Sequence, residues 1–288
     1  MPAIDDDIAH RIDGPRDAPV VVLSNSLAIT WSMWAPQVPS LLQRYRVVRY
    51  DHRGHGSSPP ARRAIATDEL AREVVALMDR LGIERASFCG ISLGGVAGLR
   101  LAADFPERVD RLIVCSTSAH LDAAAFWRER ADLVRRAGLD GVAEVVVARW
   151  FTPAFARTHA GVVERARDTI RATDPNSYAR FADLLAELDL RDVIGKIRAP
   201  TLVVAGAEDA AIPPRHADVI ADAIDGASSV RIADAAHLPN LERPEVFTGF
   251  LMGHLSGEPV ESGATRPARD RTRHERLRGH PGRVTDLG

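Results

Sequence analysis

Residues 86–94 read Ala86-Ser87-Phe88-Cys89-Gly90-Ile91-Ser92-Leu93-Gly94, and helix-like sequence runs on from there to Asp104. An apolar strand that turns straight into a helix at Gly-x-Ser-x-Gly has the pattern of a nucleophile elbow. The glycines have a steric reason. Where a strand becomes a helix at a single serine, no room is left for β-carbons two residues before or after it. Such a turn lifts the Ser92 hydroxyl to the top of a sheet, at the positive end of the following helix. The five residues alone are a weak signal, since a tight glycine turn whose serine caps a helix reads the same way. The strand before and the helix after are what point to a nucleophile.

Working outward, short β-branched runs alternate with helical periods, the pattern of an α/β sheet. Val20-Val21-Val22-Leu23 and Tyr45-Arg46-Val47-Val48 read as strands, with an amphipathic stretch from Trp31 to Arg44 between them. Thr67 to Gly82 reads as a helix with Leu70, Val74, Leu77, Met78 and Leu81 on one face, Thr67 capping its start and Gly82 its end. Arg111-Leu112-Ile113-Val114-Cys115 is a further strand. From about His120 to Arg191 strand signals vanish and helical, Arg/Glu-rich sequence takes over, as in an insertion over a sheet. The alternation resumes with Pro200–Val204, a helix near Arg215–Ile224, a strand at Val230–Ile232 and a last helix near Arg243–Leu255.

A serine nucleophile needs a base, and the base needs an orienting carboxylate. In a strand–elbow–helix architecture these follow in the order Ser, Asp or Glu, His. Asp209 closes Leu202-Val203-Val204-Ala205-Gly206-Ala207-Glu208-Asp209, just past an apolar strand, and His237 follows the strand Val230-Arg231-Ile232. Both fall where the carboxyl edge of a sheet delivers its loops. Glu208 is the nearest rival for the acid; Asp209 is preferred because Ala-Ala-Ile-Pro-Pro follows it and aims a short side chain inward. The expected triad is Ser92, Asp209 and His237.

The oxyanion of an acyl-transfer intermediate needs two backbone donors. Leu93, next after the nucleophile, supplies one, and Leu27 in the loop Ser24-Asn25-Ser26-Leu27-Ala28 supplies the other. Asp51-His52-Arg53-Gly54-His55-Gly56-Ser57 has no companion ligands at metal spacing and reads as a structural loop. Trp127, Trp150, Phe151, Phe155 and Phe181 all lie in the insertion, where aromatic residues pack or line a roofed pocket. No nucleotide-binding glycine loop is present, so no nucleotide cofactor is implied.

Composition bounds the rest. Apolar residues at 45% and charged residues at 26% of 288 exclude a disordered chain or a fibrous rod. No apolar run approaches a membrane span, and the acidic start is no secretory signal. The two cysteines, Cys89 and Cys115, sit in apolar segments and read as reduced thiols, so the expectation is a cytoplasmic protein. The net charge of −2 predicts neither nucleic acid nor membrane as partner. Residues 266–288 nonetheless carry seven arginines against three acids, and this apolar-poor tail is expected to be disordered.

Over about residues 8–255 the chain resembles the α/β-hydrolase superfamily, and several stretches resemble its 3-oxoadipate enol-lactonase family. These are Leu23-Ser24-Asn25-Ser26-Leu27, Met33-Trp34-Ala35-Pro36-Gln37, Tyr50-Asp51-His52-Arg53-Gly54-His55-Gly56, Ala148-Arg149-Trp150-Phe151-Thr152-Pro153 and His237-Leu238-Pro239-Asn240-Leu241-Glu242-Arg243-Pro244. The Asn-Ser-Leu stretch is the most telling, because most relatives have His-Gly there. Ala28 departs from the family's usual glycine.

The resemblance implies an α/β fold: a mostly parallel eight-stranded sheet flanked by helices, with a helical cap insertion. Its parts would be 1–119 and 192–257 as the core, 120–191 as the cap and 258–288 as the tail. It implies hydrolysis of a small-molecule lactone or ester, without metal or cofactor. Such a lactone carries a carboxylate, which needs a cation in the pocket. Arg130 is the first candidate, ahead of Arg128 and Arg149, with Trp127 and Trp150 beside it. A general carboxylesterase or perhydrolase, and a low-turnover ligand-binding receptor, use the same residues and stay open on sequence grounds.

Overall fold

A computed structural model describes residues 8–258, and the expected tail lies outside them apart from its first residue. Seven strands form one sheet: β1 (His10–Asp13), β2 (Val20–Ser24), β3 (Arg46–Tyr50), β4 (Ala86–Ile91), β5 (Val109–Cys115), β6 (Thr201–Gly206) and β7 (Ser228–Ile232). Their order is β1-β3-β2-β4-β5-β6-β7. β1 runs antiparallel to β3, and every other pairing is parallel. The sheet thus has one strand fewer, among the described residues, than the eight expected. Its edge begins at His10–Asp13, a strand too polar to register as one in the sequence.

Strands β4 and β6 are buried along their whole length. That is why they are near-continuous apolar runs rather than alternating ones. Cys89 and Cys115 are free and buried in adjacent strands, and burial pushes both thiols up. The chain leaves β2 for β3 on one side and returns to β4 on the other. The loops after β2 and β4 therefore diverge, opening the crevice at the carboxyl ends where α/β sheets hold ligands.

The amphipathic stretch after β2 is broken by Pro36 and Pro39 into a single-turn helix at Trp31–Trp34 and the short α1 (Val38–Leu41). Helix α2 (Thr67–Arg80) is capped by Ala66, not Thr67: Ala66 is extended, and its N–H donates to the Glu69 carboxylate at 3.3 Å. The other end closes as expected on Gly82 at φ +65. The Gly82 and Ile83 N–H groups return to the Asp79 and Met78 carbonyls, a Schellman arrangement. Helix α3 (Leu93–Asp104) starts directly after Ser92.

The insertion after β5 holds five helices: α4 (Ala124–Ala137), α5 (Asp140–Trp150), α6 (Pro153–Thr158), α7 (Ala160–Ala172) and α8 (Pro175–Ala186). Thr152 and Asp174 cap α6 and α8 with their side-chain oxygens. The ends of this insertion meet where His120 bridges Asp189 and the Leu190 N–H donates to the Ala119 carbonyl at 2.7 Å. The chain then passes through α9 (Arg191–Ile194), and α10 (Arg215–Ala223), α11 (Pro239–Glu242) and α12 (Pro244–Ser256) complete the fold.

The elbow glycines differ sharply from an exposed one in α12. A Cβ at Gly90 would stand 2.1 Å from the Gly94 carbonyl oxygen, whereas one at Gly249 meets nothing within 4 Å. Gly90→Ala is expected to cost about 3 kcal/mol, as overpacking does. Gly249→Ala should gain roughly 0.5–1 kcal/mol from helix propensity. Urea melts of the two variants check both signs.

Candidate active site

A cavity of about 260 Å³ lies between the carboxyl ends of the strands and the inserted helices. Its floor comes from the loops after successive strands: Ser26 and Leu27 after β2, Ser92 after β4, Thr117 and Ser118 after β5, Ile212 after β6 and His237 after β7. Its roof comes from the insertion, with Phe126, Trp127, Arg130, Arg149, Trp150 and Tyr178.

Ser92 sits at φ +55, ψ −113, a conformation that side chains avoid unless the surroundings hold it. They do. Its N–H donates to the Cys115 carbonyl at 2.8 Å, and its own carbonyl accepts from Thr117 Oγ1 at 2.7 Å. Gly94 N–H then ties the start of α3 to the Asn25 carbonyl at 2.9 Å.

Asp209 and His237 come together from β6 and β7, with His237 Nδ1 2.9 Å from Asp209 Oδ2. The other oxygen, Oδ1, accepts the N–H groups of Ala211 and Ile212, each at 2.8 Å. Those two donors fix the carboxylate plane and leave Oδ2 for the imidazole. The His237 proton is thereby held on Nδ1, so Nε2 carries the lone pair that a base needs. Glu208 is exposed, whereas Asp209 is 3% exposed, so the acidic side chain that reaches the histidine is the one expected.

The Leu27 and Leu93 amides have no hydrogen-bond acceptor among the described residues. Ala28 adopts φ +62, the left-handed region that glycine enters freely and alanine does not. Its N–H donates to His55 Nε2 at 2.7 Å. Asp51, His52 and His55 are buried behind this segment, while Gly56 and Ser57 reach the surface. Burial pushes the Asp51 carboxyl up to about 6 and holds the His52 and His55 imidazoles down at about 3 and about 4.

In the roof, Arg130 lies with its guanidinium 4.9 Å from the Phe126 ring centre, and Nη1 donates to the Tyr178 hydroxyl at 3.3 Å. No carboxylate pairs with it among the described residues. Arg149 also faces the cavity and donates to the Ala210 carbonyl at 2.5 Å. Arg128 faces a separate recess with Asp132, Arg180 and Asp183. Trp127 and Trp150 both line the cavity, and Trp150 lies nearly parallel to His237, with 6.4 Å between ring centres.

Sequence reasoning gave Glu242 no role, and the structure makes it the clamp between the insertion and the loop of His237. Its Oε1 accepts the Ala236 N–H at 2.7 Å, and Oε2 accepts the Thr152 N–H and hydroxyl at 2.9 and 2.8 Å. The Trp150 carbonyl in turn accepts the His237 N–H at 3.1 Å. Tyr178, whose hydroxyl engages Arg130, was likewise missed. No local signal marks either residue, because their partners are brought in by the tertiary fold. Glu242→Gln turns one acceptor into a donor facing a donor. The expected loss is about 2 kcal/mol, read as a melting temperature lower by roughly 5 °C in differential scanning calorimetry.

The sequence matches the family described as alpha/beta hydrolase fold over residues 19–244. A 3-oxoadipate enol-lactonase of Acinetobacter baylyi is 38% identical, over 81% of this chain and 87% of its own. The crystal structure of an enol-lactonase from Burkholderia xenovorans superposes with a TM-score of 0.84 at 40% identity, covering 86% of this chain and 96% of that one. A RutD protein of Caulobacter, named for carbamate hydrolysis, is 32% identical over 88% of this chain and 97% of its own. The elbow, the strand order and these matches agree: the protein belongs to the alpha/beta hydrolase fold family.

Proposed function

We propose that the protein is a cytoplasmic serine hydrolase that opens 3-oxoadipate enol-lactone to 3-oxoadipate in the β-ketoadipate route of aromatic acid breakdown. The observation that carries this reading is Arg130, a half-buried guanidinium without a carboxylate partner among the described residues, in the same cavity as Ser92 and His237. A cation so placed suits a substrate that brings its own carboxylate, because a charge leaving water needs a partner. The enol-lactonase relatives support the same substrate class.

In this mechanism His237 takes the Ser92 proton on Nε2 as Oγ attacks the lactone carbonyl, and Asp209 steadies the imidazolium. The Leu27 and Leu93 amides receive the oxyanion, each worth about 3 kcal/mol in the transition state. Collapse breaks the ring C–O bond. His237 returns its proton to the enolate oxygen, and the enol tautomerises to the ketone. The leaving group stays tethered to the acyl chain, so nothing is released before water, deprotonated by His237, frees the serine. Residues 1–119 and 192–257 supply this chemistry, and residues 120–191 act as a cap in which Arg130, Trp127 and Trp150 hold the substrate.

Two outcomes are expected when loss of enol-lactone absorbance is followed. Ser92→Ala abolishes turnover. Arg130→Ala raises KM for the anionic lactone by roughly 10- to 100-fold, the worth of a charge-assisted hydrogen bond, and leaves p-nitrophenyl acetate cleavage within twofold. Equal losses on both substrates would remove Arg130 from carboxylate recognition.

A further inference from the structure

The loop carrying Leu27 is held from behind by two buried histidines that the chemistry does not use. His52 Nε2 donates to the Asn25 carbonyl at 3.1 Å, the same carbonyl that receives the Gly94 N–H. His55 Nδ1 donates to the Arg53 carbonyl at 2.9 Å, which leaves Nε2 as a bare acceptor for the Ala28 N–H. His55 is fully buried, packed edge-on against Phe181 of α8 with 5.6 Å between ring centres. An imidazole so enclosed stays neutral, as an acceptor must.

These two bonds fix two peptide planes, the one between residues 25 and 26 and the one between 27 and 28. The plane between them carries the Leu27 N–H. Ala28 is the weak point of the arrangement, since φ +62 costs a residue with a β-carbon about 1 kcal/mol. Without an acceptor on its N–H, the segment gains by relaxing out of the left-handed region, and the Leu27 amide then turns away from the cavity.

We propose that His55 is a positioning residue of the oxyanion site: its Nε2 acceptor holds Ala28 in the left-handed conformation and so keeps the Leu27 N–H aimed at the reacting carbonyl. This rests on the serine hydrolase reading above. It assigns to the Asp51–Ser57 loop a duty in transition-state stabilisation, carried out through Ala28 and without contact to substrate.

The test uses the full chain and p-nitrophenyl acetate, with active sites counted by burst titration with a fluorophosphonate so that unfolded protein drops out of kcat. His55→Phe keeps the ring against Phe181 and loses the acceptor. It should lower kcat by roughly 10- to 100-fold, up to the loss of one oxyanion donor, with KM within twofold. A boronic acid transition-state analogue should weaken in parallel. His55→Gln places an amide oxygen near the Nε2 position and should restore kcat to within about fivefold of the parent. Adding Ala28→Gly to His55→Phe removes the strain that the histidine opposes, and should recover about fivefold of the lost kcat.

A kcat within twofold of the parent in His55→Phe, or no recovery in both His55→Gln and the double variant, overturns the proposal. Should His55→Phe fail to fold, His55→Gln against His55→Asn decides. The shorter side chain puts its acceptor at the Nδ1 position, and equal kcat in the two would overturn the assignment. Ester cleavage that survives Ser92→Ala would instead sink the hydrolase reading itself, so the two failures are told apart.

Discussion

The structure turns on one strained residue. Ser92 cannot hold φ +55, ψ −113 on its own account, and every neighbouring element helps to hold it there. β5 supplies the Cys115 carbonyl, the loop after it the Thr117 hydroxyl, and the loop after β2 the Asn25 carbonyl that receives the Gly94 N–H two residues on. The close approach needed for these bonds is what forbids a side chain at 90 and 94: a Cβ at Gly94 would stand 2.3 Å from the Ser24 carbonyl oxygen. The elbow, the order β2-β4-β5 and the loop after β2 are therefore one constraint seen from three sides. A sheet in another order would not bring these carbonyls to the turn.

His237 is held with comparable thoroughness but by different means. The Asp209 carboxylate is oriented by the amides of its own loop, and the His237 loop is stitched to the insertion through the Trp150 carbonyl and the Glu242 carboxylate. Three donors converge on Glu242, which is nearly buried. A buried anion is tolerable only with its lone pairs filled in this way. The consequence is mechanical: the segment Trp150–Thr152, although it belongs to the insertion, is tied to the His237 loop.

What was legible in the sequence follows the same physics. Ser92, Asp209 and His237 could be read because each follows its own apolar strand, and a parallel sheet sends all such ends to one edge. The left-handed conformation of Ala28 was not expected: the residue stood out only as a departure from the glycine usual in the family that the sequence resembles. β1 escaped notice because an edge strand needs no apolar run: His10, Arg11 and Asp13 are polar, and Asp13 pairs with Arg11 and Arg49. Glu242 was invisible as a clamp because one of its partners, Thr152, is 90 residues away. Helical spacing shows that Trp127 and Arg130 share a face of α4 while Arg128 points elsewhere. Only the packing of α4 beside α8 shows which face meets the cavity.

That geometry divides the insertion into two parts with different freedom to change. Trp150 gives its carbonyl to the backbone of His237 and its ring to the cavity, so a substitution that alters its main-chain position displaces His237 along with the pocket wall. Arg130 and Trp127 stand on α4, and the hydrogen-bond partner of the arginine side chain, Tyr178, lies on α8 within the insertion. Changes there reshape the cavity wall while the Trp150–His237 and Glu242 bonds stay intact. Within a family whose members carry names as different as lactonase and carbamate hydrolase, α4 is thus a stretch of cavity wall that can change without disturbing the bonds that hold His237.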